Sequence, residues 1–210
     1  MTPEETLAQI AKEVSACQKC VLHKSRKLSV PGEGPVHAEI MFIGEGPGAN
    51  ENEQGRPFVG AAGNLLNELL GAAGMKREEV WIGNVVKCRP PGNRDPLPEE
   101  LSTCNLFLER QMAAINPRII ITLGRISMGK FMPGVKISQV HGQMRKVGER
   151  YVIAMFHPAA ALHQPDLKPT ILHDFAQLPK LLEQARGAFK RSMPAAVVEA
   201  QEDPKQLKLF

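Results

Sequence analysis

The sequence predicts an α/β fold in which helices pack on a mostly parallel sheet of four strands. Two observations carry that expectation. Four short apolar runs, residues 38–44, 80–86, 118–124 and 151–157, read as buried strands, and helical segments alternate with them along the chain. The polar residues that interrupt or follow these runs stand at their carboxyl ends: Glu45, Asn84, and His157. Open parallel sheets bind ligands at that edge.

Each element has a local reason. Thr2 caps the first helix, Pro3 takes its first position, and Glu5 closes a capping box. Leu7, Ile10, Ala11 and Val14 share one face, and the helix runs to Cys17. AEIMFIG (38–44) is the first strand, followed by a loop rich in glycine and acid. Leu65, Leu66, Leu69 and Leu70 place a helix over 64–73, which Gly74 stops. VWIGNVV (80–86) is the second strand, and CRPPGNRDPLP (88–98) is packed with turn formers. A long helix from Pro98 to Ile115 stops at Asn116-Pro117. RIIITLG (118–124) is the third strand, Arg125–Phe131 a short helix, and YVIAMFH (151–157) the fourth strand. A last helix is expected over 170–186. Beyond it Pro, Ala and charges follow no period, so residues 1–186 are expected to form one domain and 187–210 a flexible tail.

The chain has 210 residues, of which 43% are hydrophobic and 23% charged, the balance of a soluble globular protein. No run approaches the roughly 18–20 apolar residues of a membrane span, and the first residues carry acids in place of a secretory h-region. Membrane and secreted readings fall away, and a cytoplasmic location is expected. A net charge of +4 mildly favours an anionic partner such as nucleic acid. Aromatic residues are only 5%, too few for a base-stacking platform of many rings.

Four cysteines, Cys17, Cys20, Cys88 and Cys104, are spaced C-x2-C, then 67 residues, then C-x15-C. Outside a secretory context they read as a metal or cluster site before a disulfide framework. Zinc ribbons pair two narrow knuckles, and the second pair here is far wider, so an iron–sulfur cluster fits as well or better.

Other residues admit two readings each. Glu45 and Glu51 either orient a water or act as bases, or belong to a solvated acidic loop. Phe58 is a core anchor or a face on which a planar ligand stacks. Asn84, in an apolar strand, caps a neighbouring loop or reads a complementary edge such as that of a pyrimidine. His157 is structural, or a ligand or acid facing a cleft. The loop after the first strand lacks the Lys-Ser/Thr of a P-loop.

At these residues the chain resembles the family 4 uracil-DNA glycosylases, the type with an iron–sulfur cluster. The match runs from Glu45-Gly46-Pro47-Gly48 and Gly55-Arg56-Pro57-Phe58-Val59-Gly60 through Gly83-Asn84-Val85-Val86-Lys87-Cys88-Arg89-Pro90-Pro91, Asn93-Arg94, Pro96, Pro98-Glu99-Glu100 and Cys104 to His157-Pro158. The resemblance implies a three-layer α/β/α sandwich and a monofunctional hydrolase. Its reaction would be cleavage of the N-glycosidic bond of flipped deoxyuridine, leaving an abasic site to start base excision repair. Its substrate would be single- or double-stranded DNA, and its location the nucleoid-associated cytoplasm. The resemblance further implies that the four cysteines hold a structural [4Fe-4S] cluster. Phe58 would stack on uracil, Asn84 would bond its O4 and N3–H, and His157 would donate to O2. Glu45 and Glu51 would be the catalytic acids of the first loop, and Gly46 would line the substrate site where the best-known glycosylases carry an aspartate. Leu162 is the candidate wedge, and Arg56, Lys87, Arg89, Arg94 and Lys168 are candidate phosphate contacts. A monomer is expected. Finally, Gln206-Leu207-Lys208-Leu209-Phe210 resembles the peptide by which bacterial DNA enzymes bind the replication sliding clamp, with Gln206, Leu207, Leu209 and Phe210 as its contacts.

Overall fold

The computed structural model describes residues 1–188. Five strands form one sheet in the order β2-β1-β3-β5-β4: β1 (Ile40–Gly44), β2 (Trp81–Asn84), β3 (Ile119–Leu123), β4 (Met144–Val147) and β5 (Arg150–Met155). All neighbours are parallel except β4 and β5. The four expected strands are therefore joined by a fifth, and the α/β class stands. β4 escaped the sequence reading because it is a charged edge strand, Met144-Arg145-Lys146-Val147, with no buried residue. A two-residue turn links it to β5, and Gly148 supplies the positive φ of 58° there.

Side chains alternate between the two faces of the sheet and divide the interior in two. Met41, Ile43, Ile120, Val152 and Ala154 pack beneath α1 (Pro3–Ala16), α4 (Pro98–Ile115) and α5 (Arg125–Phe131). Ile40, Phe42, Ile121, Ile153 and Met155 pack beneath α3 (Ala61–Ala72), α7 (Pro158–His163), α8 (Lys168–Ala176) and α9 (Leu178–Ala188). The result is the three-layer sandwich. Two short helices, α2 (Ala49–Gln54) and α6 (Ile137–Val140), lie in the connections.

The first helix begins as its sequence dictates. Glu5 N–H donates to Thr2 Oγ1 at 3.2 Å and Thr2 N–H to a Glu5 carboxylate oxygen at 2.8 Å. α3 starts at Ala61, three residues before the expected start at 64, with Gly60 at its N-cap. The single helix expected over 170–186 is instead two, α8 and α9, meeting at Gln177. Pro179 has no N–H to continue the ladder of α8, and it sits comfortably in the first turn of a new helix. Among the described residues no helix is long and apolar enough to cross a membrane. The clamp-like peptide 206–210 lies outside the described residues.

Candidate active site

The carboxyl ends of β1, β2 and β5 open into a cavity of about 520 Å³, lined by Glu45, Gly46, Glu51, Phe58, Asn84 and His157 among others. Six residues singled out from the sequence, on five different segments, thus meet in one place.

Glycine makes the meeting possible. Gly44 is the register partner of Asn84. A Cβ on Gly44 would stand 2.4 Å from Asn84 Oδ1 and 2.7 Å from the Phe58 ring, so the bare backbone leaves room for both. Gly124 does the same at the end of β3, where φ is +92° and a Cβ would lie 3.3 Å from that of His157.

Phe58 is buried and holds an unusual left-handed backbone, φ 50°. That conformation is fixed from outside. The Arg77 guanidinium donates to the carbonyls of Pro57 at 2.6 Å and Phe58 at 3.1 Å while pairing with Glu33 at 2.8 Å. The Phe58 ring stacks near that of His157, centroids 5.5 Å apart and planes 26° from parallel. Sequence reading missed Arg77, which lies in a polar connection with no pattern to mark it.

His157 follows β5 by two residues and caps α7. Its Nδ1 accepts the Ala159 N–H at 3.1 Å, so in the neutral ring the proton sits on Nε2. Burial pushes its pKa down to about 4, against an opposing pull from Glu51. The ring is neutral at physiological pH and offers one N–H donor.

Asn84 is almost wholly buried, and its Oδ1 has no hydrogen-bond partner. An orphaned amide oxygen costs about 1–3 kcal/mol, a deficit that a ligand N–H would relieve. Loop capping, the alternative reading of Asn84, finds no support: its side chain makes no hydrogen bond among the described residues.

The two acids divide. Glu51 Oε1 accepts the N–H groups of Val59 (2.9 Å) and Gly60 (3.0 Å), and Oε2 accepts that of Gly48 (3.1 Å). Three donors commit it to stapling the loop around Phe58. Although its backbone carbonyl accepts the Val86 N–H at 3.1 Å, the Glu45 carboxylate has no hydrogen-bond partner among the described residues. Burial first, then the nearby Asp95, raises its pKa, with Arg125 opposing. Gly46 carries no side chain, and a Cβ there would come within 2.8 Å of Val86 Cγ2.

The candidate phosphate contacts fare unevenly. Arg94 reaches the cavity wall but is held by both oxygens of the buried Glu100, at 2.9 and 2.7 Å. Arg56 pairs with Glu33 at 2.8 Å, Arg89 donates to Asn93 at 2.8 Å, and Lys168 stands 3.8 Å from Glu68. Lys87 is a correction: it is 1% exposed, its ammonium points inward, and it touches no surface a DNA strand could reach. The flanking Val85, Val86 and Cys88 are its only sequence signal, a lone cation in a run destined for the interior. Leu162, on α7, is 48% exposed, as a wedge would be.

On the opposite face of the sheet, Cys17, Cys20, Cys88 and Cys104 line one small cavity with Val14, Leu22 and Phe107. They come from the end of α1, the following turn, the exit of β2, and α4. None is in a disulfide. Burial raises the Cys88 thiol and pushes Cys104 up to about 11, and the other thiols add to both effects. Arg26 donates to Cys88 Sγ at 3.3 Å. Among the described residues no three such side chains converge on one metal ion. Four soft sulfur donors around a shared cavity, with a guanidinium beside them, fit a multi-atom iron–sulfur group better than a single ion.

Residues 31–178 match the family model of the uracil DNA glycosylase superfamily. Over 188 residues the chain is 46% identical to a type-4 uracil-DNA glycosylase of Archaeoglobus fulgidus, covering 84% of this chain and 94% of that protein. The type-4 uracil-DNA glycosylase of Thermotoga maritima is 42% identical over 195 residues, covering 90% and 98% respectively. A type-5 uracil-DNA glycosylase of Pyrobaculum aerophilum is more distant, at 31% identity over 148 residues and 62% and 65% coverage.

Proposed function

The chain belongs to the uracil DNA glycosylase superfamily, alongside its type-4 members, and we infer that it excises uracil from DNA by hydrolysing the N-glycosidic bond. The observation that carries this reading is the facing of the Phe58–His157 ring pair with the unpartnered Asn84 amide at one cavity. A planar base with adjacent donor and acceptor groups fits that arrangement.

In this reading the deoxyuridine is extruded from the helix, at a cost of a few kcal/mol that contacts in the pocket offset. Phe58 stacks on the base. Asn84 Oδ1 accepts the N3–H and its amide nitrogen donates to O4. Cytosine presents the reverse pattern and is refused. As the bond breaks, negative charge spreads over the base oxygens, and the His157 Nε2–H donates to O2. That donor gains strength as the charge grows, so it favours the transition state over the bound substrate. Positive charge grows on the sugar, where Glu45 is the carboxylate left to balance it and orient water. Glu51 holds the loop, Gly46 borders the base, and Leu162 enters the vacated stack.

We extend the reading further. Cys17, Cys20, Cys88 and Cys104 would hold a [4Fe-4S] cluster, which when bound supplies thiolate–iron bonds joining α1, the β2 exit and α4. Residues 1–186 act as the catalytic domain and work as a monomer in the nucleoid-bearing cytoplasm. Beyond that domain, Gln206, Leu207, Leu209 and Phe210 would engage the sliding clamp. Deleting 206–210 is expected to abolish retention on immobilised clamp and leave excision unchanged; loss of both activities would rule out a separable tether.

The direct test uses as-purified protein, with iron and acid-labile sulfide assayed for equal content. It is incubated with an oligonucleotide carrying one deoxyuridine, in single- and double-stranded form, beside thymine and cytosine controls. Alkali-labile cleavage at uracil alone is expected. A cluster-loaded protein that binds DNA and releases no base would refute the assignment.

A further inference from the structure

Lys87 is a cation in the interior with no carboxylate partner among the described residues, and it also borders the cysteine cavity, where its charge acts on Cys104. Its Nζ donates to the backbone carbonyl of Asn84 at 2.9 Å and to Gln111 Oε1 at 2.7 Å. Gln111 lies on α4 and donates in turn to the Pro31 carbonyl at 2.7 Å. The carbonyl of Lys87 accepts the Val30 N–H at 2.8 Å. The ammonium therefore sits in a socket built from three segments, with its tip against the last residue of β2.

Stability alone is a weak reason for such a residue. A methionine of similar length would fill the space without desolvating a charge. What the ammonium does, and a methionine would not, is hold a carbonyl. That carbonyl belongs to the residue whose aim matters most. The Asn84 side chain has no hydrogen bond of its own, so its direction is inherited from its backbone. Beyond Asn84 the chain leaves the sheet, and Lys87 closes the turn by reaching back three residues to it.

We propose that Lys87 is a positioning residue for base recognition, fixing the Asn84 backbone so that its amide meets the edge of the base. The proposal rests on the reading of Asn84 as the group that contacts uracil. Lys87 touches no substrate and performs no chemistry; it sets the geometry of a residue that does. Sub-ångström placement of such a group has large kinetic effects.

Three variants test it: Lys87→Met, Lys87→Gln, and Gln111→Leu. Inhibition by free uracil reads the Asn84 contact. Affinity for DNA carrying a baseless abasic analogue reads everything else, and iron content per chain reads the cysteine site. Lys87→Met is expected to weaken uracil inhibition and slow single-turnover excision by roughly 10-fold, with abasic-DNA affinity and iron content unchanged. Lys87→Gln retains N–H donors on a shorter side chain and is expected to fall between, which keeps the test open if the Met variant does not fold. Gln111→Leu leaves the bond to Asn84 intact and is expected to lower Tm with little change in uracil inhibition. If the Lys87 variants lower Tm and leave uracil inhibition at the wild-type level, Lys87 is structural only and the proposal fails. A wild-type protein that excises uracil normally, yet whose excision is indifferent to Asn84→Ala, would instead overturn the reading of Asn84 on which the proposal depends.

Discussion

Replacing His157 with alanine is expected to slow single-turnover uracil excision by about 100- to 1,000-fold, the usual loss when a fixed donor to a developing oxyanion is removed. Affinity for abasic DNA should hold within a few-fold, because the ring acts on charge that appears only as the bond breaks. Its protonation state makes a second expectation. The Nδ1 atom is committed as acceptor from Ala159 N–H, and burial holds the pKa near 4. Above that value the ring stays neutral with its proton on Nε2, so His157 should impose no loss of rate as pH rises from 5 to 8. A limb that rises with pH in the acid range would belong to Glu45, whose pKa is raised, and Glu45→Gln should abolish it. Rate falling steadily between pH 5 and 8 in the Glu45→Gln protein would show that an imidazolium, not a neutral ring, does the work.

The same depression bears on stability. An unfolded histidine titrates near 6.5, so between about 4 and 6.5 the unfolded chain binds the extra proton. The stabilising contribution is full above 6.5 and is lost as pH falls toward 4. His157→Asn should therefore flatten the decline of Tm over that window; an unchanged slope would place the group's titration elsewhere.

Much of this was legible in the chain. The capping box at Thr2, the stop at Asn116-Pro117 and the four apolar runs are local signals, and local physics sets those elements. Site membership was legible for a topological reason. Polar residues at the ends of apolar runs in a parallel sheet have one edge to share, so Glu45, Asn84 and His157 had to meet. Roles were harder to read. Glu51 and Glu45 sit six residues apart in one acid-rich stretch of sequence with the same chemistry. Only the backbone N–H groups folding around Glu51 distinguish a staple from an available carboxylate. Lys87 looked like a phosphate contact because charge ordinarily means surface, and it took the packing of α4 and segment 30–31 to turn it inward. β4 was illegible because an edge strand need not carry an apolar pattern at all.

Asn84→Ala is expected to reduce uracil excision by roughly 100-fold or more, since a site built to bond a particular edge depends heavily on those bonds. Its effect on selectivity should be uneven. Uracil and thymine present the same O4 and N3–H, so Asn84 does nothing to separate them, and that ratio should barely move. Cytosine offers a donor where uracil has an acceptor and lacks the N3 proton, so the uracil-to-cytosine ratio should collapse. Stability should move the other way. In the free protein Asn84 Oδ1 is a buried acceptor without a partner, and deleting it removes an unfavourable group from the end of β2. The Ala variant should melt no lower than the wild type, and adding free uracil should raise the wild-type Tm while leaving the variant's unchanged. An amide kept there for packing or loop capping would give the opposite pair of results, a lower Tm and intact excision. A residue that costs the free enzyme stability while conferring its selectivity is one whose partner arrives with the substrate.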